Sequence, residues 1–152
     1  MEIDAFTGGL FDTNCFFLLE SGILVDTPQD TLSWLSKQGY RVKTLLITHG
    51  HIDHVWDAAA IQREHGCKVG YHPLTKAMVT EQDFFKKFGF NWEIEPFEAD
   101  FLIEETESLF VEGVDFQVLH VPGHSPDSVA FHLKSEKLLF GGDALLPGGV
   151  GR

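Results

Sequence analysis

Val42-Lys43-Thr44-Leu45-Leu46-Ile47-Thr48-His49-Gly50-His51-Ile52-Asp53-His54 joins an apolar run to four side chains that can ligate a metal. Residues 42–48 are rich in leucine and β-branched side chains, so they predict a strand buried on both faces, running directly into His49. Residues 55–65 then predict a helix, closed by Gly66. The loop between strand and helix is the kind of place where sites are built. In extended backbone His49 and His51 project the same way and can share one ion. Once the chain turns, Asp53 and His54 can face a second ion nearby. A His-rich surface loop is the bland alternative, but unliganded histidines have no reason to take this spacing at a strand end.

Two later pieces also sit where strands are expected to end: Val121-Pro122-Gly123-His124-Ser125 and Gly141-Gly142-Asp143. Each alone reads as a turn. Their order after the HxHxDH segment makes His124 and Asp143 further candidate ligands. His65, His72, His120 and His132 are read as surface, turn or supporting residues, and Cys15 and Ser125 as unactivated side chains and not nucleophiles.

Outward from this centre, residues 2–6, 15–20 and 23–26 predict short strands separated by Gly and Asn turn signals, an antiparallel start. Asp30 is the expected N-cap of a short amphipathic helix over Thr31–Gln38, ended by Gly39. Residues 67–71 predict a strand, and residues 81–88 a helix or lid-like insertion with exposed aromatics. Strand patterning resumes over 114–121, 128–134 and 137–140. Strands, then strand-helix alternation, then strands again predict a layered α/β architecture whose sheets are covered by helices.

With 152 residues, 43% of them hydrophobic, the chain can bury one core, and residues 1–152 are expected to form one domain. The net charge of -12 would repel a phosphate backbone, and no Lys or Arg occurs between Lys87 and Lys134, which excludes nucleic acid as an expected substrate. Residues 93–107 carry seven carboxylates without a calcium-loop spacing, so they read as a solvated acidic loop or edge. Cys15 and Cys67 are too few and too far apart for a disulfide framework and are expected to be reduced core residues. Neither a leader-like start nor an apolar run of membrane-spanning length is present, so a cytoplasmic protein without membrane association is the expectation.

The motifs THGHIDH, VPGHSPDS and GGDAL, in this order, resemble the metallo-β-lactamase superfamily over all 152 residues. Within it, VLHVPGHSPDSVAFHL followed by LLFGGDALLPGGVGR looks most like the glyoxalase II branch, the hydroxyacylglutathione hydrolases and their single-domain relatives. The resemblance implies an αββα sandwich with the site at one edge. It also implies that His49, His51 and His124 hold one metal, that Asp53 and His54 hold a second, and that Asp143 bridges both. The implied cofactor is a pair of zinc ions, with iron or manganese as alternatives, and the implied nucleophile is metal-bound hydroxide, with Asp53 both ligating the second metal and orienting that hydroxide. An acyl thioester or ester is the expected small-molecule substrate, with 2-hydroxyacylglutathione first. An iron-dependent persulfide dioxygenase, a lactonase or β-lactamase-type hydrolase and a non-enzymatic metal-binding module are the rivals. Asp127 stands where the family commonly has Gly, and Val25-Asp26-Thr27-Pro28 replaces a commoner turn; neither departure is expected to touch a ligand. The chain also stops at Arg152, before the family's last histidine for the second metal, so the domain is expected to be C-terminally incomplete and completed by a further segment or a partner chain.

Overall fold

β1 (Ile3–Gly8), β2 (Thr13–Leu18) and β3 (Ile23–Val25) form the expected antiparallel start. The computed structural model describes residues 1–81 and 83–152. After β3, α1 (Thr31–Gln38) carries the chain over the sheet to β4 (Thr44–Leu46), which pairs with β3 in parallel. α2 (Ile52–Val55) and α3 (Ala58–His65) cross to β5 (Lys68–Tyr71). α4 (Lys76–Thr80) and a 3-10 turn, Phe85–Phe88, precede β6 (Phe101–Leu102), and the six strands lie in chain order. A second, antiparallel sheet runs in the order β10-β9-β8-β7, from β7 (Thr106–Val111), β8 (Val114–His120), β9 (Val129–Leu133) and β10 (Leu138–Phe140). A two-stranded ribbon, β11 (Leu145–Leu146) and β12 (Gly149–Val150), follows.

The period-two alternation of a strand explains the layers. Along β2 to β4, Cys15, Phe17, Leu24 and Leu45 face the helices, where they pack with Leu35, Ala58, Ile61 and Val79. Leu18, Ile23, Val25 and Leu46 face the opposite way and pack against Val118, Val129 and Phe131 of the second sheet. Helices, sheet and sheet are thus three layers of the αββα arrangement. Among the described residues no α-helix lies in chain order between the strands of the second sheet or after them. Nor is any helix among them long and apolar enough to cross a membrane.

Three local expectations are corrected. The helix expected over 55–65 breaks into α2 and α3, because the His54 carbonyl accepts from Thr27 N–H (2.8 Å) and Asp57 N–H donates to the Thr27 carbonyl (3.1 Å). Those bonds divert the backbone groups that would continue the helix ladder. Asp30 precedes α1 in a left-handed conformation and does not cap it; the Leu32 amide instead donates to Asp57 Oδ2 at 2.9 Å. A strand not anticipated, β7, starts inside the acidic run: Thr106, Leu109 and Val111 are half-buried while Glu107, Ser108 and Phe110 face solvent. The acidic stretch is therefore partly a sheet edge, with Lys134 paired to Glu107 at 3.0 Å. The lid expectation over 81–88 meets the turn Phe85–Phe88, and Gln82 lies outside the described residues.

Candidate metal centre

β4 ends at Leu46, and the chain leaves the ladder because Thr48 N–H donates to Asp26 Oδ1 (2.8 Å) instead of to a strand. The loop that follows carries His49 and His51, and the first turn of α2 carries Asp53 and His54. His124 sits on the loop between β8 and β9, tied to the first sheet because the Val129 amide donates to the Thr48 carbonyl at 2.9 Å. Asp143 lies in a 3-10 turn after β10, where Gly142 at φ 51° packs so closely that a Cβ there would lie 2.5 Å from Thr48 Oγ1. A side chain at position 142 would push Asp143 away from the loop.

All six candidate residues converge. Ligand atoms of His49, His51 and His124 lie within 4.8 Å of one another, as do those of His49, His54 and Asp143. His49 belongs to both groups. Asp53 stands at the edge of the second, with Oδ2 3.5 Å from His54 Nε2 and held by the Thr13 hydroxyl at 2.6 Å. His51 Nδ1 and His124 Nε2 approach to 2.9 Å, and His124 Nε2 lies 3.3 Å from Asp143 Oδ2.

The surrounding hydrogen bonds fix which nitrogen each ring presents. The Thr48 hydroxyl donates to Asp26 Oδ2 (2.7 Å), so toward His49 Nδ1 (3.1 Å) it can only accept, and His49 carries its proton there. Its Nε2 is left as a lone pair, buried and without a hydrogen-bond partner among the described residues. His54 Nδ1 donates to Asp26 Oδ2 at 2.8 Å, turning Nε2 toward Asp143 Oδ1 at 3.2 Å, in a geometry that makes no proper hydrogen bond. His124 Nδ1 faces the Arg152 carbonyl at 3.0 Å. Rings oriented by carboxylates and carbonyls, with the opposite nitrogen pointing into a shared space, suit a divalent cation.

The electrostatics agree. Burial holds the His49 imidazole well below its ordinary value, helped by His54, His51 and His124, so it remains neutral. Burial also lowers His51, assisted by His124. At His54 burial pulls the same way but is outweighed by Asp26, Asp143 and Asp53, which push it up to about 10. Asp143 is held below the usual carboxylate range by its contact with His54. Carboxylates that hold a proton on His54 so firmly would also favour a metal cation in its place. Cys15, pushed up to about 12 by burial, is no nucleophile.

Both departures in sequence prove to be supports, and the expectation that neither touches a candidate ligand is corrected for Asp26, while Asp127 contacts only neighbours of the candidate ligands. Asp26 bonds His54 directly. Asp127, fully buried, accepts from Gly50 N–H (2.7 Å), Thr75 Oγ1 (2.6 Å) and the Ser125 hydroxyl, and so binds the two histidine loops to the start of α4. In sequence only Asp127, a carboxylate where Gly is common, and the unusual turn at Asp26-Thr27-Pro28 hinted at this. His72 and His120 stack on each other at 4.6 Å, and none of His65, His72, His120 and His132 joins either ligand group.

A family model described as Lactamase_B, metallo-beta-lactamase superfamily, matches residues 8–152. The hydroxyacylglutathione hydrolase GloC of Haemophilus influenzae is 29% identical over 161 residues, covering 100% of this chain and 76% of that protein. The crystal structure of BLEG-1 B3 metallo-beta-lactamase superposes with a TM-score of 0.89 at 26% identity, over 99% of this chain and 76% of that one. That of TTHA1623 in a di-iron-bound form gives 0.80 at 30% identity, over 98% and 76%.

Proposed function

The chain belongs to the metallo-β-lactamase superfamily, and on that premise we propose that it is a metal-dependent hydrolase of carbonyl thioesters or esters. The observation that carries the reading is the convergence of His49 Nε2, which is buried with no hydrogen-bond partner among the described residues, and His54 Nε2, 3.2 Å from Asp143 Oδ1, on a space shared with His51 and His124. His49, His51 and His124 would hold one ion; Asp53 and His54 would hold a second, with Asp143 between them. Zinc suits this imidazole and carboxylate set, as do iron and manganese. Bound there, the ions would supply Lewis acidity, lowering the pKa of water toward neutrality and polarising the carbonyl.

The protein's own groups do the positioning. Thr13 pins Asp53 Oδ2, so the carboxylate is fixed to orient the attacking water and receive its proton. Asp26 and Thr48 lock His54 and His49 in the tautomers that present Nε2. In the overall reaction the water oxygen bonds the acyl carbon, the carbon–sulfur or carbon–oxygen bond breaks, and the leaving group takes a proton, giving a carboxylic acid and a thiol or alcohol. The relative GloC and the sequence motifs favour a thioester.

Zinc-loaded protein should cleave a thioester at neutral pH, and chelation should abolish the reaction. Oxygen uptake with glutathione persulfide by iron-loaded protein, without thioester cleavage, would replace this reading by dioxygenase chemistry.

A further inference from the structure

The candidate ligands open into a cleft of about 1100 Å³. One wall is aromatic. Phe11 meets Trp92 edge-on at 5.6 Å, Phe90 stacks on Trp92 at 4.9 Å, and Phe84 tilts against Phe88 at 5.5 Å. Across the cleft lie Leu139, Leu145 and Leu146. Several of these side chains are strongly exposed, Phe88 at 65%, Phe11 at 58% and Leu145 at 57%. Large apolar groups left facing a cleft beside polar chemistry are the usual make-up of a ligand-binding wall.

Aspartates are prominent in the lining of this cleft. Among the described residues that line it there is no Lys or Arg, whereas Asp12, Asp26, Asp53 and Asp143 all do. The basic residues nearest the aromatic wall are already paired with carboxylates: Lys86 with Asp83 (3.0 Å) and Glu93 (2.6 Å), and Lys87, whose Nζ lies 6.0 Å from the Phe84 ring centroid, with Glu81 (3.0 Å). A glutathione conjugate carries a net negative charge on flexible carboxylates, and the chain carries -12. Two divalent cations would offset the carboxylates at the floor of the cleft but would not supply a partner for carboxylates at its mouth.

We propose that this cleft selects an uncharged thioester or ester with a large apolar or aromatic acyl group, held by Phe11, Phe84, Phe88, Phe90 and Trp92, over an anionic glutathione conjugate. The proposal rests on the hydrolase reading for its chemistry, but its selectivity can be measured without turnover. N-phenyl-1-naphthylamine and its sulfonated counterpart, 1-anilinonaphthalene-8-sulfonate, differ by one negative charge and report binding by fluorescence. With the zinc-loaded full chain, the neutral probe should bind at least about tenfold more tightly than the anionic one. Trp92→Ala should weaken the neutral probe about fivefold or more, and Phe88→Arg should narrow or reverse the preference. Phe110→Ala, on the exposed face of β7, should change neither. Turnover is then compared on S-phenylacetyl-N-acetylcysteamine, S-acetyl-N-acetylcysteamine and S-phenylacetylglutathione. The first should have the highest kcat/KM, by about tenfold over each of the others. Equal or tighter binding of the anionic probe, indifference of the neutral probe to Trp92→Ala, or preferred cleavage of the glutathione thioester overturns the proposal. Failure to cleave any thioester or ester removes the hydrolase reading alone, and the probe affinities still decide what the cleft accepts.

Discussion

Replacing Asp127 by alanine should both destabilise the protein and loosen its metal centre. The carboxylate is fully buried and receives three hydrogen bonds, from Gly50 N–H, Thr75 Oγ1 and Ser125 Oγ. The two hydroxyls can rotate toward other acceptors, but the Gly50 amide cannot, and leaving it buried and unpaired costs about 1–3 kcal/mol. Loss of the two further charge-assisted bonds adds about 1 kcal/mol each, for a total near 3–5 kcal/mol. For a chain of this size 1 kcal/mol moves Tm by about 2–4 °C, so a fall of about 6–20 °C is expected. Because Gly50 sits between His49 and His51 and Ser125 follows His124, zinc affinity should drop about 10- to 100-fold as well. Asp127→Asn keeps one acceptor oxygen and should fall about halfway. Thermal denaturation followed by circular dichroism, with zinc titration under a competing chelator, measures both effects. A Tm for Asp127→Ala within about 2 °C of the parent, with zinc affinity unchanged, would refute the claim that this carboxylate holds the two loops.

Gly142→Ala should lower Tm and zinc content together, since its Cβ would lie 2.5 Å from Thr48 Oγ1 and the backbone at φ 51° resists a side chain. Asp53→Asn should retain substrate affinity within about threefold while kcat falls by about a hundredfold or more, because the shape survives and the proton acceptor does not; steady-state kinetics separates the two. Burial pushes the Cys15 and Cys67 thiols up to about 12 and about 11, from 9.0. With folded values above the unfolded one, this contribution to stability is whole below pH 9 and is lost as pH rises toward 11–12. Cys15→Ala should therefore shift the alkaline unfolding midpoint upward, and an aromatic disulfide reagent at pH 8 should react with both thiols quickly only after denaturation.

The candidate ligand residues were legible because ligation would impose local spacing: His49, His51, Asp53 and His54 are crowded into one short segment, and a strand-then-helix pattern brackets them. The strands around them were legible from their alternation. What escaped was set by distant partners. The break between α2 and α3 depends on Thr27, and Asp127 reaches Gly50 across 77 positions, so neither has a local signature. Asp26 and Asp127 stood out in sequence only as unusual turn residues; their burial among donors could not be read there. β7 was hidden because Thr106–Val111 begins in a run of carboxylates whose outward-facing members mask the alternation of Leu109 and Val111. The aromatics of 81–88 suggested a lid, but only the tertiary arrangement places them across from Leu139 and Leu145 in one cleft.

Two cations should bind between His49, His51, His124, His54, Asp53 and Asp143. Metal analysis of the purified chain after zinc loading and desalting, alongside His124→Ala and His54→Ala, tests this most directly. About two zinc ions per chain are expected, about one in each variant, and a folded circular dichroism spectrum for all three proteins. Retention of the parental zinc content by both variants, or failure of the well-folded parent to keep zinc at all, would contradict this.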